Sequence, residues 1–180
     1  MALPRWTRLS SEVRVRNSWW TYRLDRFLLP GGKEGEYHHV HTPGSAMVVP
    51  VTADGRLLLV NQYRFLCDRE SLEFPGGGVK EGQAPEAAAR AELAEEAGVQ
   101  ATELTHLGRH NPWNGVTDEM CDVFLARGLV HDPHAHPEET ETIENAPLTV
   151  ADFEARIASG EIWDGMTLAA WCLARKYVVG

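Results

Sequence analysis

Three glutamates, Glu92, Glu95 and Glu96, stand at i, i+3 and i+4. In a helix that spacing puts all three side chains on one face within about one turn. Carboxylates so gathered repel one another unless something cationic sits among them, and hard divalent cations prefer oxygen ligands. The chemistry implied is magnesium binding; the alternative is a solvated acidic helix face. The run Gly76-Gly77-Gly78 just upstream separates the two readings. It brings bare backbone close to the carboxylates, where a main-chain carbonyl can join a metal shell and a phosphate can approach.

The element that must carry the glutamates is a helix over Pro85 to Ala97. Proline stands in its first turn, alanine fills its interior, and Gly98 is placed to adopt the left-handed cap. Ala89, Leu93 and Ala97 form a separate stripe that can face a core. Before it, Val13 to Leu29 alternates loosely and reads as a strand or hairpin closed by the Gly31-Gly32 turn, with Tyr37 to Val40 continuing it. Ala46 to Val51 and Arg56 to Tyr63 read as two strands joined at Asp54-Gly55, and Pro50 places the first of them at an edge or bulge. Strands are expected at Leu104 to Arg109 and Met120 to Ala126. Thr149 with Asp152 forms a capping box for a helix ended by Gly160, and Asp164 caps a last helix over Thr167 to Tyr177. Strands, a central helix, more strands and terminal helices predict an α/β or α+β sandwich.

The chain has 180 residues, 43% apolar, enough for one ordinary core. A net charge of -9 argues against a broad nucleic-acid or anionic-membrane surface. Cys67, Cys121 and Cys172 are too dispersed for a zinc motif or a disulfide framework, and a reducing cytoplasm is the expected location. No signal-peptide pattern and no apolar run long enough to span a bilayer is seen. His131, His134 and His136 lie among prolines in an irregular stretch, which argues against zinc there.

Gly77-x5-Gln83-x7-Ala91-Glu92-Leu93-x-Glu95-Glu96-x-Gly98-Val99 closely resembles the Nudix box, G-x5-E-x7-R-E-U-x-E-E-x-G-U, where U is a bulky aliphatic residue. Seven of nine fixed positions agree, too many for chance at one register. The resemblance implies a Nudix-type α/β/α sandwich with a mixed sheet and an N-terminal β extension, divided as 1-44 and 45-180. It also implies magnesium or manganese held by Glu92, Glu95 and Glu96 with the Gly76 carbonyl, polarising a diphosphate and orienting water. Two positions depart from the box. Gln83 replaces its first glutamate, and Ala91 replaces the arginine that orients the carboxylates; Arg90 is adjacent but about 100° around the helix.

Outside the box, Gln62-Tyr63-Arg64 and Leu72-Glu73-Phe74-Pro75-Gly76-Gly77 resemble segments of the ADP-ribose pyrophosphatase branch. By that likeness Arg64 faces the substrate diphosphate, Glu73 stands beside the metal or its ligands, and Gly77 lies against the substrate. Trp113 covers the substrate in a loop where Asn114 replaces a proline common in that branch, which opens the substrate to other nucleoside diphosphate sugars. Glu139 and Glu141, in an acidic run, match the loop that supplies a catalytic general base. Trp19 or Trp20 stacks on the nucleobase, from an N-terminal segment that pairs with a second subunit in a homodimer. The expected activity is hydrolysis of a nucleoside diphosphate sugar to a nucleoside monophosphate and a sugar phosphate. The alternatives are a catalytically silent nucleotide-sugar sensor, or a hydrolase of dinucleoside polyphosphates or oxidised nucleotides.

Overall fold

The computed structural model describes residues 3–135 and 143–180. The chain divides into two compact units, Met1–Pro43 with Asn111–Glu119, and Gly44–His110 with Met120–Gly180. In the first, strands β1 (Thr7–Arg16), β2 (Thr21–Leu28) and β3 (Glu34–His41) form an antiparallel sheet in that order. The β1–β2 turn is set by Asn17, whose side-chain oxygen accepts from the amides of Trp19 (2.9 Å) and Trp20 (2.8 Å). Gly32 turns the next connection at φ +82°, as the glycine pair led one to expect. Tyr37 Oη donates to the Gly115 carbonyl at 2.9 Å and the Val40 amide to that of Val116 at 2.8 Å, fastening the Asn111–Glu119 segment to β3.

The second unit contains β4 (Ser45–Pro50), β5 (Leu57–Arg64), β6 (Arg69–Glu73), β7 (Gly76–Gly78), α1 (Pro85–Ala97), β8 (Val99–His110), β9 (Cys121–His131), β10 (Ile143–Leu148), α2 (Val150–Ser159) and α3 (Gly165–Val178). Its strands make two sheets, β7-β4-β9-β8 and β10-β5-β6, and the parallel β4–β9 pair makes the first one mixed. Strand alternation builds the layers. Ala46 and Val48 of β4 pack with Phe124 and Ala126 of β9 against Ala88, Ala89, Leu93 and Ala97 of α1. Met47 and Val49 point the other way, packing with Val123 and Leu125 against Phe153 of α2 and Ala170, Trp171 and Ala174 of α3. Two helical layers therefore cover a β core, and each fully buried aliphatic or aromatic side chain contributes roughly 1.5–3 kcal/mol.

Helix α1 has the expected bounds, with Pro85 in the first turn and Gly98 at φ +67° closing it. Thr149 accepts from the Asp152 amide and Asp164 from the Thr167 amide, so both terminal helices start on the expected caps. Pro50 differs from expectation. Strand β4 lies inside its sheet, and Pro50 is its last residue, past Ser45–Met47 where β7 pairs, so its missing donor disturbs no ladder. The glycine run is not a free turn either: Gly76–Gly78 pair with Met47, Ala46 and Ser45 as strand β7.

Candidate active site

Strand β7 runs beside α1, and its glycines set the contact between them. A Cβ on Gly77 would lie 2.5 Å from Cδ of Glu92 and 2.9 Å from Oε2, so the Glu92 carboxylate occupies the space a side chain would need. One residue earlier, the Gly76 amide donates to Glu96 Oε2 at 2.8 Å. Glu96 is 8% exposed, Glu92 half-buried and Glu95 exposed. The helix thus presents its three carboxylates at three depths, two of them against the glycine strand. Among the described residues no three His, Cys, Asp or Glu side chains converge on one point. The donor set nevertheless suits a hard divalent cation, because it is all carboxylate oxygen on one helix face beside backbone with no Cβ to shield it.

The end of β5 carries an ordered cation. Arg64, the last residue of β5, donates from Nε to Glu73 Oε1 at 2.8 Å and from Nη2 to Glu73 Oε2. The Glu73 side chain is 4% exposed and that of Arg64 45%, so a buried carboxylate holds a guanidinium that still reaches solvent. The bond to Glu73 raises the Arg64 pKa above its ordinary value; burial opposes this, and the charges of Glu73, Asp164 and Glu96 reinforce it. Gln62, one strand step inward, donates to Glu73 Oε2 at 3.5 Å. Arg64, Glu73, Gly76, Gly77, Glu92 and Glu96 all belong to the second unit, carried by β5, β6, β7 and α1.

The remaining sequence candidates lie elsewhere. Trp19 is 78% exposed in the β1–β2 turn, Trp20 beside it is partly exposed, and Trp113 is exposed in the Asn111–Glu119 segment; all three belong to the first unit. Glu139, Glu141 and His136 fall outside the described residues. Of the two departures from the box, the first has a local role and nothing in the structure explains the second. Gln83 Oε1 accepts from the Lys80 backbone amide at 2.9 Å while the Gln83 backbone amide donates to the Lys80 carbonyl, closing the turn before α1. Arg90 bonds to Glu86 and to the Ala101 carbonyl, so it does not take over the task of the arginine that Ala91 replaces. Asp164, read from sequence only as a helix cap, adds its charge to the surroundings of Arg64, a placement that no local pattern signals.

The NUDIX domain profile matches residues 41–165. The chain belongs to the Nudix family. It is a Nudix pyrophosphohydrolase, similar to ADP-ribose pyrophosphatase of Bacillus subtilis, with 34% identity over 143 residues covering 79% of this chain and 77% of that one. It is also similar to ADP-ribose pyrophosphatase of Mycobacterium tuberculosis, with 32% identity over 164 residues covering 89% and 79% of the two chains. A crystal structure of an ADP compounds hydrolase superposes with a TM-score of 0.87 at 21% identity, covering 100% of this chain and 97% of that one, and bears on the fold alone. Nudix enzymes generally use divalent metals, in keeping with the carboxylate face of α1. Among the described residues no helix is long and apolar enough to cross a membrane.

Proposed function

We propose that this Nudix hydrolase cleaves the pyrophosphate bond of a nucleoside diphosphate sugar, ADP-ribose or a close relative, giving a nucleoside monophosphate and a sugar phosphate. The observation that carries the reading is Arg64, a half-exposed guanidinium fixed by a buried carboxylate in the same unit as the acidic helix. A diphosphate needs both a fixed positive charge and oxygen ligands for the cation that accompanies it, and one unit offers the two together. Glu92, Glu95 and Glu96, with the Gly76 carbonyl, are the residues to hold magnesium or manganese. When bound, the ion supplies polarisation of the phosphoryl oxygens and a water acidic enough to attack. Glu92 and Glu96 tune that site, and the bare Gly77 lets a phosphate come close. Arg64 orients the diphosphate, and Glu73 keeps Arg64 in place. Glu139 or Glu141 takes the proton of the attacking water, by likeness to the acidic loop of ADP-ribose pyrophosphatases.

The same reading assigns the nucleoside end to aromatic rings: Trp19 or Trp20 stacks on the base and Trp113 covers the substrate. It assigns residues 1-44 to the interface of a homodimer, supported by the ten exposed residues of β1, which pairs on one side only among the described residues. A cytoplasmic location accords with three cysteines that form no disulfide. A second reading, a silent nucleotide-sugar sensor, is favoured by one observation: the arginine missing at Ala91 is not replaced by Arg90.

Incubation with magnesium and a panel of ADP-ribose, GDP-mannose, UDP-glucose, diadenosine polyphosphates and nucleoside triphosphates, followed by product identification, tests the proposal. A monophosphate and a sugar phosphate from one nucleotide sugar are expected. Binding without turnover across the panel would replace the enzyme with the sensor. Turnover of only the polyphosphates would move the substrate to that class.

A further inference from the structure

Strand β8 is irregular where it passes Asp122. His106 pairs with Phe124 and Gly108 with Val123, so Leu107 is an extra residue, and Gly108 takes φ +149°, a conformation that suits glycine. In a regular strand residues three apart point to opposite faces; the bulge cancels that alternation and turns His106 and Arg109 to the same side. Both then grip one carboxylate. Asp122 Oδ1 accepts from His106 Nε2 at 2.7 Å, and Arg109 donates from Nη2 to Oδ2 at 2.8 Å and to Oδ1 at 3.2 Å, and from Nε to Oδ1 at 3.3 Å. Asp122 is buried, whereas His106 and Arg109 are each about half exposed. Strand pairing sets Gly77, Ala46, Asp122 and Arg109 in one row across the sheet. The Glu92 carboxylate fills the Cβ position of Gly77, so Asp122 lies on the same face as Glu92, two strand spacings or about 10 Å along the row.

We propose that Arg109 and His106, held by Asp122, form a second phosphate-binding site, one that takes a phosphate monoester or free phosphate. Asp122 occupies Nε and Nη2 of Arg109, and among the described residues Nη1 makes no hydrogen bond, so it is free to donate to a ligand from an oriented guanidinium. His106 is prepared in a complementary way. An ionised carboxylate only accepts, so the proton of the neutral ring sits on Nε2, and Nδ1, which also makes no hydrogen bond among the described residues, is left as an acceptor. A phosphate monoester keeps one proton up to about pH 6 and shares it readily near neutrality. Its hydroxyl can donate to Nδ1 while its charged oxygens accept from Arg109. Sulfate has no such proton to bring, which makes the pair selective for phosphate rather than for negative charge. In a chain of net charge -9, an anion is held only where cations are ordered in advance, and the bulge and buried Asp122 supply that order.

A network that merely ties β8 to β9 predicts no response to anions, so titration of the metal-free protein with inorganic phosphate separates the two roles. The Arg109 Nε–H and His106 ring resonances, assigned by their loss in R109K and H106Q, are followed in wild type and in R64A. Both should shift saturably in both proteins, with phosphate binding at least about fivefold tighter than sulfate at pH 7. R109K keeps the charge beside Asp122 but loses the planar fork, and the phosphate response of His106 should weaken at least about fivefold in it. No saturable shift, equal affinity for sulfate, or an undiminished His106 response in R109K would overturn the proposal. Steady-state assays then name the source of the phosphate. If the substrate carries it, KM is lower for ADP-ribose 2′-phosphate than for ADP-ribose and R109K abolishes the difference; if the ligand is free phosphate, adding it changes turnover of the two compounds alike. Either result supports the site. Should the wild type turn over no nucleotide sugar, the diphosphate reading falls, while the titration, which needs no turnover, still decides this one.

Discussion

Gly77→Ala separates site geometry from stability. The added Cβ would lie 2.5 Å from Cδ of Glu92, against an ordinary contact of about 3.5 Å, so the carboxylate must retreat by about 1 Å. The clashing group is the far end of a flexible side chain, and Gly77 does not use a left-handed φ. The fold can therefore accept alanine, and lower entropy of the unfolded chain favours it by about 0.4–1 kcal/mol. A misplacement of about 1 Å in a group that holds the reacting centre costs on the order of 100-fold in rate, or about 2.7 kcal/mol of transition-state stabilisation. G77A should thus melt within a few degrees of wild type and lose roughly 100-fold in kcat/KM for the nucleotide sugar. Gly76→Ala is the contrasting case, because its Cβ would meet the Ala46 carbonyl oxygen at 2.6 Å and Met47 Cγ at 2.9 Å. That clash is with backbone and core, and it should destabilise by about 1–3 kcal/mol. Full activity in G77A, or a loss of stability as large as that of G76A, would refute the placement of Glu92 against the glycine strand.

Glu73→Gln removes the charge that orders Arg64; because one partner is half exposed, the expected loss is about 1–3 kcal/mol, below that of a fully buried pair, with a raised KM in steady-state assays. An unchanged KM would detach Arg64 from the substrate. The Glu154 carboxylate is held below its ordinary pKa of 4.5 first by the hydrogen bond from Arg175. Its stabilising contribution is present above pH 4.5 and lost as the pH falls through the lowered folded value. Thermal melts of wild type and Arg175→Gln should therefore differ at pH 7 and converge at lower pH, whereas a constant difference would mean the pair is not what Arg175 contributes.

Much of this arrangement was legible in the sequence, and what was not has physical reasons. Helix α1 carries its own signals, Pro85, an alanine-rich interior and Gly98, so its bounds could be read locally. Strand β7 could not, because a run of glycines reads as a turn. It is a strand because it pairs with β4, and Gly76 and Gly77 are glycine because Ala46 backbone on one side and the Glu92 carboxylate on the other leave no room for a Cβ. Strand β10, Ile143–Leu148, escaped for a similar reason: Pro147 argues against a strand, yet among the described residues β10 is an edge that pairs with β5 alone, where proline is tolerated. The three glutamates were visible as a spacing. Arg64 and Glu73 were visible only through family likeness, since their pairing joins two strands of a hairpin. Asp164 was legible as a cap, whereas the docking of the start of α3 on β6 through Trp163 and Thr167 was not, because those bonds span more than ninety residues of chain.

The carboxylate face of α1 is proposed to hold a divalent ion. Manganese titration followed by electron paramagnetic resonance, on wild type and on the Glu92→Gln and Glu96→Gln variants, tests it without reference to any substrate. Saturable binding is expected in the wild type, displaced by magnesium and weakened at least roughly tenfold in each variant. Equal manganese affinity in all three proteins would contradict it.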